Sequence, residues 1–380
     1  MLIINLLRLF TQMRDDKNSK SSDPRFGKTL RNDFRQVDFI GEIKKEFREL
    51  KNFYIDEHKK ERLQNMNTIS GFIHILFWLV KSMFFHLTPL RRILTVVGFV
   101  FLMLGRFSFN SDGNSIVFDN NTLGGIIILF VLMLELKDKL LAKDELEGGR
   151  KVQKALLPEE NPEIPGWKVW MFSRPANEVC GDLVDYLNIN ENKTCLSMAD
   201  VAGKGLSAAL MMSKLQSTIR AIAEDYKSLS GFASKVNSIF NRDSLPSLFA
   251  SMLYMHIEPS SGNIKYVNAG HLPPLLLQRG EVIEMVKGDA AIGLMKDTKF
   301  TEHNIEIGKE EVFIIYSDGV TEAGNDVGQF FGKERLINTI KKFGDRSVDK
   351  LGEAILKQVE IFTGDAPRSD DISLIILRKK

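Results

Sequence analysis

The chain has 380 residues, 44% of them hydrophobic and 26% charged, which excludes a globally disordered protein and allows two or three folded modules. Its formal net charge of +2 gives no support for a nucleic-acid partner. Two cysteines, Cys180 and Cys195, are too few for a disulfide framework and suit a reducing compartment, so we expect both to be small buried residues.

The first module predicted from the sequence, residues 1–68, is polar and charge-rich, and we expect it to be partly flexible. Residues 1–10 are apolar but lack a basic start and a small-residue cleavage site, so we do not predict a signal peptide.

Residues 69–136 form a hydrophobic region of three apolar runs. Residues 88–109 and 121–141 are long enough to cross a bilayer if Arg106 reaches an interface. Basic residues lie before the second run and after the third, and the segment between them has none, so the positive-inside rule predicts a transmembrane hairpin with both ends in the cytoplasm. Residues 69–87 fit an interfacial helix or a helix packed against the hairpin. A soluble helical domain is the alternative.

Residues 132–157 repeat leucine at helical spacing among charged residues, which predicts a linker helix and suggests a homodimer formed through it. Gly148-Gly149 interrupts this pattern, so we expect either the end of the helix or a hinge there. Pro158, Pro162 and Pro165 mark the boundary with the next module.

Residues 158–380 alternate between strand-like and helix-like segments. Several antiparallel hairpins with interspersed helices predict an α+β domain with a β core flanked by helices. The expected strands are 167–172, 194–198, 251–258, 263–268, 275–278, 282–285, 311–316 and 372–377, and the expected helices are 205–224, 333–342 and 347–362.

Aspartates stand at the ends of these strands, which is how separate strands build an oxygen-rich site for a hard divalent cation. Asp182 and Asp185 point to opposite faces of an extended segment, and we favour Asp182 because a glycine precedes it. Asp200 opens a glycine-rich turn, and the adjacent carbonyl of Val201 is a candidate for a further oxygen ligand. Any single aspartate would also fit a turn or a helix cap. With no competing His/Cys cluster, the set favours Mg²⁺ or Mn²⁺ over Zn²⁺, and two such ions can activate water for attack on phosphorus.

The order of motifs from residue 156 onward resembles the SpoIIE/RsbU family of PPM-type, metal-dependent serine/threonine phosphatases. The matching motifs are Leu156-Leu157-Pro158, Arg174-Pro175-Ala176, Glu178-Val179-Cys180-Gly181-Asp182, Ala199-Asp200-Val201-Ala202-Gly203-Lys204-Gly205, Phe249-Ala250-Ser251, Asn268-Ala269-Gly270-His271-Leu272-Pro273-Pro274, Ser317-Asp318-Gly319-Val320-Thr321-Glu322 and Asp370-Asp371-Ile372-Ser373. The resemblance implies a layered α-β-β-α sandwich, preceded here by the helical membrane hairpin and the linker helix.

The resemblance also implies metal ligands at Asp182, Asp200, Asp318 and Asp370, assisted by the Val201 carbonyl. Two ions, Mn²⁺ or Mg²⁺, are expected, with no catalytic residue separate from the metal-bound water.

Further residues are candidates for supporting the ligands or contacting substrate: Asp185, Gly203, Lys204, His271 and Asp371. For His271 a structural role in fixing its loop is favoured over proton transfer, and for Lys204 a solvated position is favoured over a substrate contact. Cys180 and the Leu183-Val184 pair depart from the usual family pattern without removing a ligand, so we expect an altered pocket shape.

The function predicted from these observations is a membrane-anchored phosphoserine/phosphothreonine protein phosphatase in the cytoplasmic membrane, with its catalytic domain in the cytoplasm. The family's substrates imply a phosphorylated STAS-domain regulator as the partner, in partner-switching signalling of the kind that controls sigma factors. One alternative is a catalytically silent phosphatase-like scaffold that binds phosphoproteins, and another is a two-metal phosphohydrolase of small molecules.

Overall fold

The computed structural model describes residues 66–111, 114–158, 161–190, 193–245, 248–259 and 261–380, with the isolated positions 41, 47, 50 and 63. The N-terminal region predicted over 1–68 lies almost entirely outside the described residues. The chain divides into two compact units, Met1–Lys137 and Asp138–Lys380.

The described part of the first unit contains helices and one β-hairpin. Pro89 occupies the first turn of its second helix, where a missing N–H costs nothing, and Gly105, with φ of 63°, ends that helix. Gly98 and Gly124 lie at a close helix–helix contact, because a Cβ on Gly124 would stand 2.7 Å from the Gly98 carbonyl oxygen. In chain order the elements are α1 (Thr68–His86), α2 (Pro89–Leu104), β1 (Arg106–Ser111), β2 (Asn114–Asp119) and α3 (Asn120–Leu156), of which α3 continues past Lys137 into the second unit.

The fold does not support the predicted transmembrane hairpin over 88–109 and 121–141. Helix α2 ends at Leu104 after 16 residues, a length of about 24 Å against the roughly 30 Å of a hydrocarbon core. The residues expected to complete it form β1, paired antiparallel with β2. Across the described ranges, no helix is both long enough and apolar enough to span a membrane. Helix α3 runs through Gly148-Gly149, so this pair does not end it.

The second unit contains two five-stranded antiparallel sheets. The first has the order β10-β7-β6-β5-β4 and the second the order β3-β12-β11-β8-β9. The strands are β3 (Trp167–Arg174), β4 (Asp182–Asn190), β5 (Lys193–Val201), β6 (Ala250–Ile257), β7 (Asn263–Ala269), β8 (Leu275–Gln278), β9 (Glu281–Glu284), β10 (Glu302–Glu306), β11 (Val312–Tyr316) and β12 (Ile372–Lys379). The helices are α4 (Leu206–Ile222), α5 (Leu229–Asp243), α6 (Asp318–Thr321), α7 (Gly332–Phe343) and α8 (Val348–Thr363).

Three apolar cores hold four layers together. One core packs α4 and α5 on the first sheet, with Phe232 and Tyr254 stacked at 4.2 Å between ring centroids. A second core packs α7 and α8 on the other sheet. The third lies between the sheets and includes Met198 from one and Phe313 from the other. The predicted α-β-β-α sandwich is therefore confirmed for this unit.

The strand directions place the acidic motifs at one end of the sandwich. In the first sheet β4 begins where β5 ends, and in the second β11 ends where β12 begins. Residues just outside these ends belong to loops of both sheets, and the loops contact one another: the backbone N–H of Gly181 donates to Asp371 at 2.7 Å.

Candidate metal centre

Asp182 and Asp200 lie directly opposite each other on β4 and β5. Asp182 is 3% exposed, and its pKa is raised well above the usual range, first by burial and then by repulsion from Asp200, while hydrogen bonds from Ser373 and Ser317 oppose the rise. Its Oδ2 atom is buried and has no hydrogen-bond partner among the described residues. Because an unpaired buried carboxylate oxygen is costly, this atom fits a position that a bound cation would neutralise.

Asp318 and Asp370 approach from the second sheet. Asp318 follows β11, and the next residue, Gly319, packs against the backbone carbonyl of Asp371 so closely that a Cβ there would overlap it. Burial and the Asp370 and Glu322 charges raise the pKa of Asp318. Burial, followed by repulsion from Asp318, Asp370 and Asp371, raises the pKa of Asp200 to about 7. Carboxylates that raise one another's pKa in this way provide the negative charge and oxygen donors that a hard divalent cation requires.

The carboxylates do not form a closed ligand shell by themselves. Within the part of the chain that the structure describes, no group of three or more His, Cys, Asp or Glu side chains is arranged to hold a metal ion. The fit to Mg²⁺ or Mn²⁺ thus depends on the donor chemistry, the shared charge and the unpaired Asp182 oxygen.

Asp371 holds the loop that carries Asp182. Its Oδ1 accepts from the Ala176 N–H and its Oδ2 from the Gly181 N–H, each at 2.7 Å, and the Asp182 N–H lies 3.4 Å from Oδ2. This carboxylate therefore positions the backbone of the 176–182 loop, as expected for a residue that supports a ligand.

Lys204 spans the two motifs that contribute Asp200 and Asp370. Its Nζ donates to the Ser369 carbonyl at 2.6 Å and lies 3.3 Å from Asp370 Oδ2. The lysine side chain is 61% exposed, in keeping with the solvated position expected for it, and its ammonium group contacts the site loops. Gly203 and Gly205, with φ of 104° and 73°, supply the turn that brings it there. The Val201 carbonyl oxygen would lie 3.6 Å from a Cβ on Gly181, so it faces the same loop.

Asp185 lies outside the site. Its carboxylate is 2% exposed and accepts two bonds from Arg220 of α4, at 2.8 and 2.7 Å, and one from Gln216 at 3.1 Å. Asp182 and Asp185 therefore occupy opposite faces of β4, as their spacing predicts, and Asp185 anchors α4 to the sheet.

His271 is a buried part of the loop after β7. Its Nδ1 lies 2.9 Å from Ser251 Oγ, and its backbone N–H donates to Asn268 Oδ1 at 2.8 Å. Burial lowers the pKa of His271 to about 4, so the ring is neutral at pH 7. Ser251 pairs with Asp200 across β5 and β6, which places His271 one residue away from a metal-ligand candidate.

Gln153 is a residue of the site region that sequence reasoning missed. It lies on α3 with 7% exposure, and its amide donates to the Cys180 and Ala209 carbonyls at 3.0 and 3.2 Å while accepting from the Cys180 N–H at 3.1 Å. The pattern of leucines marks α3 as a helix, but a glutamine among charged residues carries no signal that it is buried. Burial also raises the pKa of the Cys180 thiol, which is therefore protonated at neutral pH.

Arg174 makes one ion pair, and its Nε and Nη2 atoms are buried without a hydrogen-bond partner among the described residues. Its Nη1 donates to Glu360 on α8 at 2.9 Å, and its guanidinium lies 5.5 Å from the centroid of the Phe172 ring. This arginine connects β3 to α8 near the Asp370 loop.

Sequence comparisons associate this site with a known family. The family model described as Stage II sporulation protein E (SpoIIE) matches residues 190–380, which is half of the chain. The chain is 28% identical over 292 residues to Protein IcfG of Synechocystis sp., covering 69% of this chain and 45% of IcfG. It is 25% identical over 240 residues to the phosphoserine phosphatase RsbU of Bacillus subtilis, covering 63% of this chain and 71% of RsbU. The chain thus spans less than half the length of the first of these relatives.

Solved structures share the fold of the second unit. The SiaA-PP2C domain of Pseudomonas aeruginosa matches 64% of this chain and 99% of its own, with a TM-score of 0.56 and 18% identity. The RsbU and RsbW domains of Rv1364c from Mycobacterium tuberculosis match 58% of this chain and 61% of their own, with a TM-score of 0.50 and 22% identity. At these identities the likeness concerns the fold alone. The two antiparallel sheets, the acidic motifs at their ends and the match to half of the chain establish that this protein belongs to the SpoIIE/RsbU family of PPM-type serine/threonine phosphatases.

Proposed function

We propose that this chain is a phosphoserine/phosphothreonine protein phosphatase that requires Mn²⁺ or Mg²⁺, with a STAS-type regulatory phosphoprotein as its substrate. The observation that carries the proposal is that Asp182 and Asp200 from one sheet share their charge with Asp318 and Asp370 from the other. The names of the relatives RsbU and RsbP, both phosphoserine phosphatases, support the same reaction.

Two roles are proposed for the residues of the site, namely holding the metal ions and positioning the loop beside them. Asp182, Asp200, Asp318 and Asp370, with the Val201 carbonyl, would hold two divalent ions. When bound, such ions supply Lewis-acid activation of water and neutralise the charge that develops on the phosphoryl group. Asp371 orients the backbone before Asp182, and its two acceptor oxygens are both used for this purpose.

Phosphate release from a serine-phosphorylated STAS-domain protein of the same genome tests the reaction. We expect the full chain to release phosphate with Mn²⁺ or Mg²⁺ and to lose this activity with EDTA. Asp318→Asn should lower kcat at least a hundredfold, since it removes one carboxylate from the set. Unchanged turnover in Asp318→Asn would refute the proposal.

A second candidate is a catalytically silent scaffold that binds phosphoproteins. The absence of a closed group of three ligating side chains among the described residues favours it. Calorimetric titration of the full chain with MnCl₂ separates the two, because a scaffold without a metal site takes up no Mn²⁺ at this position.

We also propose, from the basic residues around the apolar region, that the protein associates with the cytoplasmic face of the membrane. Exposed apolar side chains on α1 and α2, among them Phe77, Val80 and Met103, support this localisation. Fractionation of cells followed by carbonate washing would test it. Sedimentation of the full chain would test the predicted homodimer through residues 132–157.

A further inference from the structure

An exposed apolar surface borders the metal-site candidates in the second unit. Five large hydrophobic side chains on three segments are between 39% and 62% exposed, and we call this set the apolar rim: Leu206, Leu210, Phe249, Leu294 and Met295. Monomeric proteins seldom leave such a group of apolar side chains in water unless the group contacts a partner.

The rim begins next to Asp200. The Phe249 carbonyl accepts from the Ala202 N–H at 2.8 Å, two residues beyond Asp200, and Val201 pairs with Ala250 across β5 and β6. Leu206 opens α4 immediately after the turn that contains Lys204, and Leu210 follows one helical turn later. These two leucines therefore extend away from the site along the outer face of α4.

The third segment, which carries Leu294 and Met295, is hydrogen-bonded to the residue that follows Phe249. Ala250 and Ile292 exchange two backbone hydrogen bonds of 2.8 Å each. Leu248 lies against both the turn that contains Gly203 and the turn that contains Gly293. A Cβ on Gly203 would lie 3.8 Å from Leu248 Cδ2, and a Cβ on Gly293 would lie 3.3 Å from the Leu248 carbonyl oxygen. Leu294 and Met295 thus lie on the same side of the site as Phe249.

Buried hydrogen bonds hold Leu294 and Met295 in their exposed positions. Asn237, 1% exposed, accepts from the Gly293 N–H at 2.8 Å and donates to the Met295 and Lys296 carbonyls at 2.9 and 3.0 Å. Gly293 has a φ of 87°, a conformation that side chains other than glycine rarely adopt. Because a buried amide fixes the backbone of this turn, that backbone loses little freedom when a partner covers the two exposed apolar side chains. The entropic cost of binding is lower for this reason.

We propose that the apolar rim is the docking surface for the folded phosphoprotein substrate, which covers it with an apolar patch beside its phosphorylated serine. The proposal rests on the phosphatase function proposed above. A phosphate that reaches Asp182, Asp200 and Asp318 brings the surrounding protein surface over the neighbouring Phe249. A small phosphate ester has no apolar surface of the size needed to cover the rim, so the rim would distinguish protein substrates from small ones.

The test compares two substrates on the full chain. Leu210→Gln/Leu294→Gln keeps the charge near the carboxylates unchanged and alters only exposed side chains. We expect the ratio of kcat/KM for a serine-phosphorylated STAS-domain protein to that for p-nitrophenyl phosphate to fall at least tenfold. The matched control is Ile361→Gln on α8, which replaces another side chain of similar exposure, 64%, and should leave the ratio within twofold of the wild type. An unchanged ratio in the double variant, or an equal fall for both substrates, would overturn the proposal.

A binding measurement keeps the proposal separate from the proposed reaction. Calorimetry on the Asp318→Asn chain gives the Kd of the same phosphoprotein without turnover, and we expect the rim substitutions to weaken it at least tenfold. If the wild type hydrolyses neither substrate, the proposed phosphatase function is wrong. The Kd still tests whether the apolar rim binds the phosphoprotein. A Kd that the rim substitutions leave unchanged, or a rim variant that becomes monomeric in sedimentation with an unchanged Kd, would show that the rim is not the substrate surface.

Discussion

Asp371 accepts a hydrogen bond of 2.7 Å from the backbone N–H of Gly181, a residue 190 positions earlier in the chain. This bond joins the loop before the last strand of one sheet to the loop before the edge strand of the other. It therefore holds the backbone next to Asp182, a candidate metal ligand. Both carboxylate oxygens of Asp371 act as acceptors in this loop.

Asp371→Asn should weaken metal binding about ten- to a hundredfold, the usual effect of losing a group that orients a ligand. The substitution replaces one acceptor oxygen by an NH₂ group, which cannot accept from Ala176 or Gly181. Calorimetric titration of the full chain with MnCl₂ measures the change. Asp365→Asn, an exposed aspartate of the same loop, is the control and should bind Mn²⁺ as the wild type does. Equal affinities in Asp371→Asn and the wild type would contradict the positioning role.

Gln153→Ala should lower the free energy of unfolding of the second unit by about 2–3 kcal/mol. The side chain satisfies three backbone groups of Cys180 and Ala209, and each buried hydrogen bond contributes about 1 kcal/mol. Urea denaturation of the full chain, followed by tryptophan fluorescence, measures the loss.

Lys154→Ala is the matched control for Gln153, since the neighbouring side chain is exposed on the same helix. We expect its unfolding midpoint to stay close to that of the wild type. If both variants unfold at the same urea concentration, the contacts of Gln153 contribute nothing measurable.

Much of the second unit could be predicted because its strands are apolar and bounded by turn residues. The hairpin around residues 259–262 and the strand 311–316 show this pattern, and the structure confirms both as β6–β7 and β11. Asp318 stood out as a candidate ligand for the same reason, because it stands two residues after such a strand. The four aspartates could be grouped because all stand at strand ends, whereas their assignment as ligands of one site came from the family resemblance, since nothing local relates Asp200 to Asp370.

The elements that escaped prediction are those whose local signals are weak. Helix α5 has a polar sequence with Gly231 in its first turn, and its buried face is defined by the sheet beneath it. Strand β10 alternates exposed and half-buried residues at the edge of its sheet, so its sequence lacks an apolar run. In the first unit the expected helix over 88–109 ends at Gly105 instead, because a glycine with positive φ ends a helix regardless of the apolar residues that precede it.

Arg220→Ala should destabilise the second unit by about 3 kcal/mol, because it leaves the buried Asp185 carboxylate without its main partner. Arg220→Lys keeps the charge but not the two parallel bonds, so we expect an intermediate loss. Thermal unfolding of the full chain measures both. Arg242→Ala removes a similar two-bond pair with Asp243 on the surface, and we expect a much smaller effect there. Equal effects of Arg220→Ala and Arg242→Ala would show that burial of Asp185 is unimportant.

Without metal, the contribution of Asp200 to the stability of the second unit should fall as the pH rises from about 4 to 7. Asp200 has a pKa of about 7 in the folded chain, above the roughly 3.9 of an unfolded aspartate, so over this interval the folded state binds a proton that the unfolded state does not. The stabilisation is complete below the unfolded pKa and is lost as the pH approaches the folded one. Buried His256 and His271, whose pKa values are lowered, contribute in the opposite direction, so the melting temperature in EDTA should decline across this range relative to that of the Asp200→Asn chain.

Asp200→Asn should remove part of this decline, since the amide does not titrate. Mn²⁺ should reverse the decline in the wild type, because a divalent ion binds the ionised carboxylates and stabilises the folded state that holds it. Its affinity should rise with pH up to about 7, while the Asp200→Asn chain should gain little from added Mn²⁺. The same pH dependence of the melting temperature in EDTA for the wild type and for Asp200→Asn between pH 4 and 7 would refute the shared-charge description of the four aspartates.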